Sequence, residues 1–157
     1  MAHRLVGKSA VVTGAASGMG KAIALSFLQE GANVVAADIN ADRLKELEAE
    51  VAELGLSEQF AYTVCNVVSS EDCASAVELC DRTFGTCNVI SHNAGILDNF
   101  ARVADIDDEV WERTMSVNCT GVMKMLRAGI RYFLAHETKA SVVISSRPTS
   151  RIYPTLV

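Results

Sequence analysis

What this chain lacks narrows it before any motif is read. Its 157 residues carry 14 Lys and Arg against 19 Asp and Glu, a formal net charge of -5, and the cations nowhere gather into a stripe. Such a surface repels polyphosphate at long range, which argues against nucleic acid as a partner. No apolar run approaches the roughly 20 residues of a membrane-spanning helix. Met1 to Gly7 holds no hydrophobic signal core, so the expectation is a cytoplasmic protein that engages no membrane. The five cysteines, Cys65, Cys73, Cys80, Cys87 and Cys119, include no Cys-x-x-Cys pair, which excludes the common zinc and dithiol motifs. They are expected as small buried thiols in a reducing compartment, with Cys73 and Cys80 on one helical stripe. The three histidines are scattered and suggest no metal.

What is present is apolar: half of the residues are hydrophobic and 21% are charged. A chain of this length removes roughly 70% of its extended surface from water, enough for one domain with a core and no staples. Ser9 to Thr13 is a short strand-like run ending at a glycine cluster, after which Ile23, Phe27 and Leu28 recur at helical spacing. Asn33 to Asp38 is a second apolar run. Leu44, Leu47, Val51 and Leu54 then follow an amphipathic pattern that Gly55 is expected to cap. Gln59 to Cys65 reads as a strand, Ser69 to Phe84 as a helix, and Asn88 to His92 as a strand. Asp107 to Ala135 is long enough for two helical pieces, with Gly121 and Gly129 as soft points, before a fifth strand at Ser141 to Ser145.

Strands alternating with helices build a parallel sheet covered on both faces, because each parallel neighbour needs a right-handed crossover. The near-continuous apolar strands agree. The expected fold is therefore α/β, a Rossmann-like doubly wound sheet of five strands in the order 3-2-1-4-5, forming a single domain.

Between the first strand and first helix stands Thr13-Gly14-Ala15-Ala16-Ser17-Gly18-Met19-Gly20. Gly14 is suited to a tight turn with positive φ, Gly18 to close approach by a ligand, and Gly20 to close packing of the helix on the sheet. Helix N-terminal N–H groups and the macrodipole favour an anion such as a pyrophosphate there. The plainer alternative is a merely tight strand-to-helix turn. Asp38, closing the second strand 18 residues after Gly20, argues for the ligand. Its carboxylate is placed to accept hydrogen bonds from two ribose hydroxyls of a dinucleotide. It would also repel a 2′-phosphate, and no Lys or Arg stands in the turn or just after Asp38, so NAD is favoured over NADP.

At these residues the chain resembles the short-chain dehydrogenase/reductase family, whose turn has the form Thr-Gly-x-x-x-Gly-x-Gly. The resemblance runs from Val6 to about Ser146 through four further landmarks. Asn66-Val67 stands where the family has Asp-Val under the adenine. His92-Asn93-Ala94-Gly95 is similar to the family's Asn-Asn-Ala-Gly, with His92 a departure best explained by packing at a strand end. Asn118 looks like the family asparagine that kinks a long helix and holds a water in the proton relay. The alternative for Asn118 is satisfaction of local backbone groups. Ser146, in Ile144-Ser145-Ser146, looks like the serine that polarises the substrate carbonyl, with Ser145 as a turn hydroxyl. The resemblance thus implies cofactor contacts at Gly14, Ser17, Gly18, Met19, Gly20, Asp38, Ile39, Asn66, Val67, Asn93, Ala94 and Gly95, and catalytic roles for Ser146 and Asn118.

Family chemistry passes hydride between nicotinamide and a secondary alcohol or ketone, while the Tyr of a Tyr-x-x-x-Lys motif exchanges the proton. Here Tyr153 is followed by Pro154, and Val157 stands at the place of the lysine, so the motif is not met. The chain reads as a truncated family member, with NADH binding at best weak and turnover near background. The fifth strand is expected as an exposed edge. Val117, Val122, Leu126, Ile130 and Phe133 are expected to face an absent helix and, in the intact family member, a homo-oligomer interface, leaving marginal stability. A non-catalytic nucleotide-binding module that pairs with or regulates a longer relative is the alternative; a flavin-binding domain is disfavoured by Asp38.

Overall fold

The alternating pattern becomes a parallel five-stranded sheet of β1 (Ser9–Thr13), β2 (Asn33–Asp38), β3 (Phe60–Val64), β4 (Val89–His92) and β5 (Ser141–Ile144), ordered β3-β2-β1-β4-β5. The chain is described by a computed structural model over residues 3–98 and 102–145. Between the strands run α1 (Gly18–Gln29), α2 (Ala41–Glu53), α3 (Ser70–Phe84), α4 (Asp108–Met115) and α5 (Val122–Ala135). The expected strand order is the one found. β3 is shorter than expected at its start, because Ser57–Gln59 closes a 3-10 turn first.

β1 sits at the centre and every residue in it is buried. Its pleat splits the core in two, since alternate side chains point to opposite faces. Val11 joins Val35, Ile90, Met125 and Phe133 in the layer under α3 and α5. Val12 joins Val34, Leu28, Leu44 and Leu47 in the layer under α1 and α2. Each fully buried Leu or Val in these layers contributes about 1.5–3 kcal/mol relative to exposure. The stripe on α2 is one residue shorter than its pattern: Leu54 lies past the last helical turn and is half exposed, and Gly55 follows with φ +70°.

The long segment after β4 holds the two expected helical pieces and corrects the reading of its glycines. α4 and α5 are joined by a π-helical turn, Ser116–Gly121, so the two pieces meet without a break. Gly121 and Gly129 are points of close packing rather than softness. A Cβ at Gly121 would lie 2.7 Å from Cγ2 of Val67, and one at Gly129 2.7 Å from Cγ1 of Ile90. Phe133 and Val117 also belong to this chain's own core, whereas Ile130 and Leu134 are exposed. β5 is exposed at all four positions.

Four cysteines are buried, and Cys119 is the exception, exposed in the π turn. Cys65 lies against Cys73 and Cys80 against Cys87. A hydrogen bond to the partner thiol and burial hold the Cys65 and Cys80 thiols well above the ordinary cysteine range. Among the described residues no helix is long and apolar enough to cross a membrane.

Candidate functional site

The carboxyl ends of β1, β2, β3 and β4 open on one side of the sheet, and the glycine turn closes over the end of β1. Gly14 turns the chain with φ +64°, and any side chain there would strike the backbone of Asn93 and Ala94 within about 3.0 Å. Gly20 admits the carbonyl of its own turn: a Cβ on it would lie 2.1 Å from the Gly14 oxygen. The sequence assigned Gly20 to packing of helix on sheet; the partner is the turn itself. A Cβ on Gly18 would meet nothing within 4 Å, which leaves that stretch of backbone open to a ligand.

The turn delivers α1 with its N-terminus bare. Ser17 stands at the cap with extended backbone and gives no side-chain cap, and the first turn holds no acid. α2 and α3, by contrast, are capped by Asn40 and Ser69, and α2, α3 and α4 all place acids in their first turns. Free N–H groups and an uncompensated dipole are what an anion requires of a helix.

Asp38 is tied to this turn. Its Oδ2 accepts the Ala16 N–H at 3.0 Å and its Oδ1 accepts the Asn40 N–H at 3.0 Å. A carboxylate offers about four acceptor positions, so two remain for a ligand. Asn66 is exposed beyond β3, and its Oδ1 accepts the Val68 N–H at 3.1 Å. The acceptor that the sequence reserved for a ligand is therefore partly spent on a local turn, while the Asn66 backbone N–H is held by Asp72.

Thr13, Asn93 and Ala94 form the floor. Thr13 Oγ1 accepts the N–H groups of Asn93 at 3.1 Å and Ala94 at 3.2 Å, and lies 3.2 Å from His92 Nδ1. The Asn93 side chain turns away from the crevice: its Nδ2 donates to the carbonyl and hydroxyl of Ser91, and its Oδ1 accepts the Ser145 hydroxyl at 2.6 Å. Asn118, in the π turn, donates from Nδ2 to the Ile96 carbonyl at 2.8 Å and accepts the Ile96 N–H on Oδ1 at 2.9 Å. It thus satisfies remote backbone, not the local groups of its own helix. Ser146 and Tyr153 lie outside the described residues.

One crevice of about 730 Å3, within the usual size of small-molecule and cofactor sites, brings these positions together. It is lined by Gly14, Ser17, Gly18, Met19, Gly20, Asp38, Ile39, Asn66, Val67, Asn93, Ala94 and Gly95, all expected from sequence. Met19 and Ile39 are exposed apolar side chains on it. Asn118 is not part of that lining; it reaches it through Ile96. Cys65, Ile96, Arg113 and Val117 also line the crevice and were missed. Arg113 and Val117 stand one helical turn apart, four residues from one another, on the segment that leads into Asn118.

A model of the short chain dehydrogenase family matches residues 8–156. The chain belongs to this family. It is 40% identical over 146 residues to a protein named 3beta-hydroxysteroid dehydrogenase 2 from Eggerthella lenta, covering 93% of this chain and 55% of that one. It is 39% identical over 136 residues to a short chain dehydrogenase/reductase from Macrophomina phaseolina, covering 85% and 75%. The crystal structure of a short chain dehydrogenase from Mycobacterium smegmatis superposes with TM-score 0.84 at 36% identity, over 90% of this chain and 58% of that one. The chain spans about half the length of most of the curated relatives it matches. Two of the positions that the sequence marks as unlike the family pattern, Asn66 and His92, lie on or beside the crevice. His92 is buried, and burial holds its pKa below the ordinary histidine value, partly offset by the backbone of Ala94.

Proposed function

We propose that the crevice binds NAD and that the chain supplies the cofactor-binding part of a dehydrogenase acting on a secondary alcohol or the matching ketone. The carrying observation is the junction of the bare α1 N-terminus with the Asp38 carboxylate, which the Ala16 hydrogen bond fixes side by side. Backbone N–H groups of residues 17–20 hold the pyrophosphate, and the two spare acceptor positions of Asp38 take the ribose hydroxyls. Met19, Ile39 and Val67 offer apolar surface to the adenine, with Asn66 at its edge. Asn93, Ala94 and Gly95 border the far half of the cofactor. The bound nicotinamide supplies the hydride acceptor or donor.

By the family resemblance Asn118 orders a water and Ser146 polarises the carbonyl. Among the described lining residues the charged side chains are Asp38 and Arg113, and Arg113 comes from α4, away from β2. Among the described lining residues no Lys or Arg comes from the glycine turn or from β2 to offset a 2′-phosphate, which supports NAD over NADP. A 3-hydroxysteroid, as in the name of the Eggerthella lenta relative, is one secondary alcohol of the proposed class.

Titration of the purified chain with NAD in a calorimeter tests this. Saturable binding that Asp38→Ala weakens about tenfold or more is expected, as for loss of hydrogen bonds to a charged acceptor. Equal affinity in the variant, or tighter binding of NADP than NAD, overturns the reading.

A further inference from the structure

His92 is buried and stands where the resemblance leads one to expect asparagine. A hydroxyl has one hydrogen and two lone pairs. Thr13 Oγ1 already accepts two backbone N–H groups, from Asn93 and Ala94, so its hydrogen goes to the remaining neighbour, His92 Nδ1. Nδ1 must then be the unprotonated nitrogen, and the neutral ring carries its proton on Nε2. That Nε2 is buried and has no hydrogen-bond partner among the described residues. By this count the Thr13 hydroxyl fixes the ring in one tautomer.

We propose that His92 is a positioning residue for the crevice: its neutral ring orients the Thr13 hydroxyl to grip Asn93 and Ala94, and protonation of the ring releases that grip and weakens nucleotide binding. This rests on the nucleotide reading given above. A protonated ring would aim an Nδ1–H at an oxygen whose lone pairs are both taken. Either the hydroxyl turns away, or the Asn93 and Ala94 N–H groups give way. These two residues pack within about 3.0 Å of where a Gly14 side chain would stand, so they cannot move without the phosphate turn feeling it.

The strands on either side bring no ionisable side chain into register with His92: Thr13 stands there on β1 and Ile144 on β5. In the layer under α3 and α5 the titratable groups are the thiols of Cys65, Cys73, Cys80 and Cys87, with Tyr132 and its partner Asp81 beyond and the charges of Asp72, Lys124 and Arg127 acting on Cys73. The proton affinity of the His92 ring is lowered by burial and raised in part by the Ala94 backbone. Binding is thus lost as pH falls below the ordinary histidine range, not as it rises.

The test uses the 15N-labelled full chain. At pH 7.5 the His92 nitrogens should report the Nε2–H tautomer, and on acidification the Asn93 and Ala94 amide signals should move along the same curve as the ring. NAD affinity should fall about two- to tenfold over that curve, the worth of one ordinary hydrogen bond, and His92→Asn should flatten the dependence whatever its absolute affinity. An Nδ1–H tautomer, a ring neutral down to about pH 5, or amides that stay still while the ring titrates overturns the proposal. So does an unchanged pH profile in His92→Asn. Absence of NAD binding at every pH refutes the nucleotide reading instead, and the ring and amide signals still decide the coupling.

Discussion

Gly20→Ala sets two rules against each other. Gly20 is the third residue of α1, and replacing a helical glycine by alanine is worth up to about 1 kcal/mol in favour of folding. The added Cβ would lie 2.1 Å from the Gly14 oxygen, 2.6 Å from the Gly14 carbonyl carbon and 3.2 Å from the Ala15 nitrogen. All three are backbone atoms of a turn fixed by φ +64° at Gly14 and by the Ala15 N–H bond to the Ala37 carbonyl at 3.3 Å. No rotamer relieves the overlap. Overpacking costs about 1–3 kcal/mol, and contact with backbone belongs at the upper end, so the net loss is about 1–2 kcal/mol. For a chain of this size that lowers the melting temperature by about 2–8 °C.

The same displacement moves the N–H groups that face the ligand. Gly20→Ala should therefore weaken NAD binding at least tenfold, more than its stability loss alone would produce. Thermal denaturation by circular dichroism and NAD titration on one sample read both. A variant that melts at or above the parent temperature and binds NAD equally well would show that the Gly14 carbonyl does not close on α1, and the account of the turn would fall.

Two further outcomes follow from buried polar groups. Thr13→Val keeps the shape of the side chain but strands the Asn93 and Ala94 N–H groups and His92 Nδ1; destabilisation of at least about 2 kcal/mol is expected in denaturant titration, given about 1–3 kcal/mol per orphaned group, with Thr13→Ser, which keeps the hydroxyl, retaining most of the parent stability. A Thr13→Val variant as stable as its parent would contradict the network. A maleimide offered to the native chain should label Cys119 quickly and the remaining four thiols only on unfolding, since they are buried and Cys65 and Cys80 are held as thiols; two or more fast sites by mass spectrometry would refute the burial.

The strands were legible because each is short, apolar on both faces and bounded by turn residues. What was misread had its cause elsewhere in the chain. Gly121 and Gly129 looked like weak points of a helix because only their backbone freedom is visible locally; the side chains they make room for, Val67 and Ile90, come from other elements. Asn118 looked able to serve its own helix, and instead serves Ile96, 22 residues earlier. Phe133 looked outward on a helix whose inward stripe is set by α3, which no period within α5 announces.

The site divides along the same line, and the reason is topological. Every strand of a parallel sheet ends on the same side, so residues that close strands or open the next loop must share one crevice. Thr13 with the glycine turn, Asp38, Asn66 and the segment from His92 to Gly95 are all of this kind, and the strand order made their meeting predictable before any distance was known. Arg113 and Val117 reach the crevice from a helix that returns over it after β4, at a depth set by how closely Gly121 seats on Val67. A helix can slide or rotate on its sheet where a strand end cannot, so those two positions depended on the packing of one glycine.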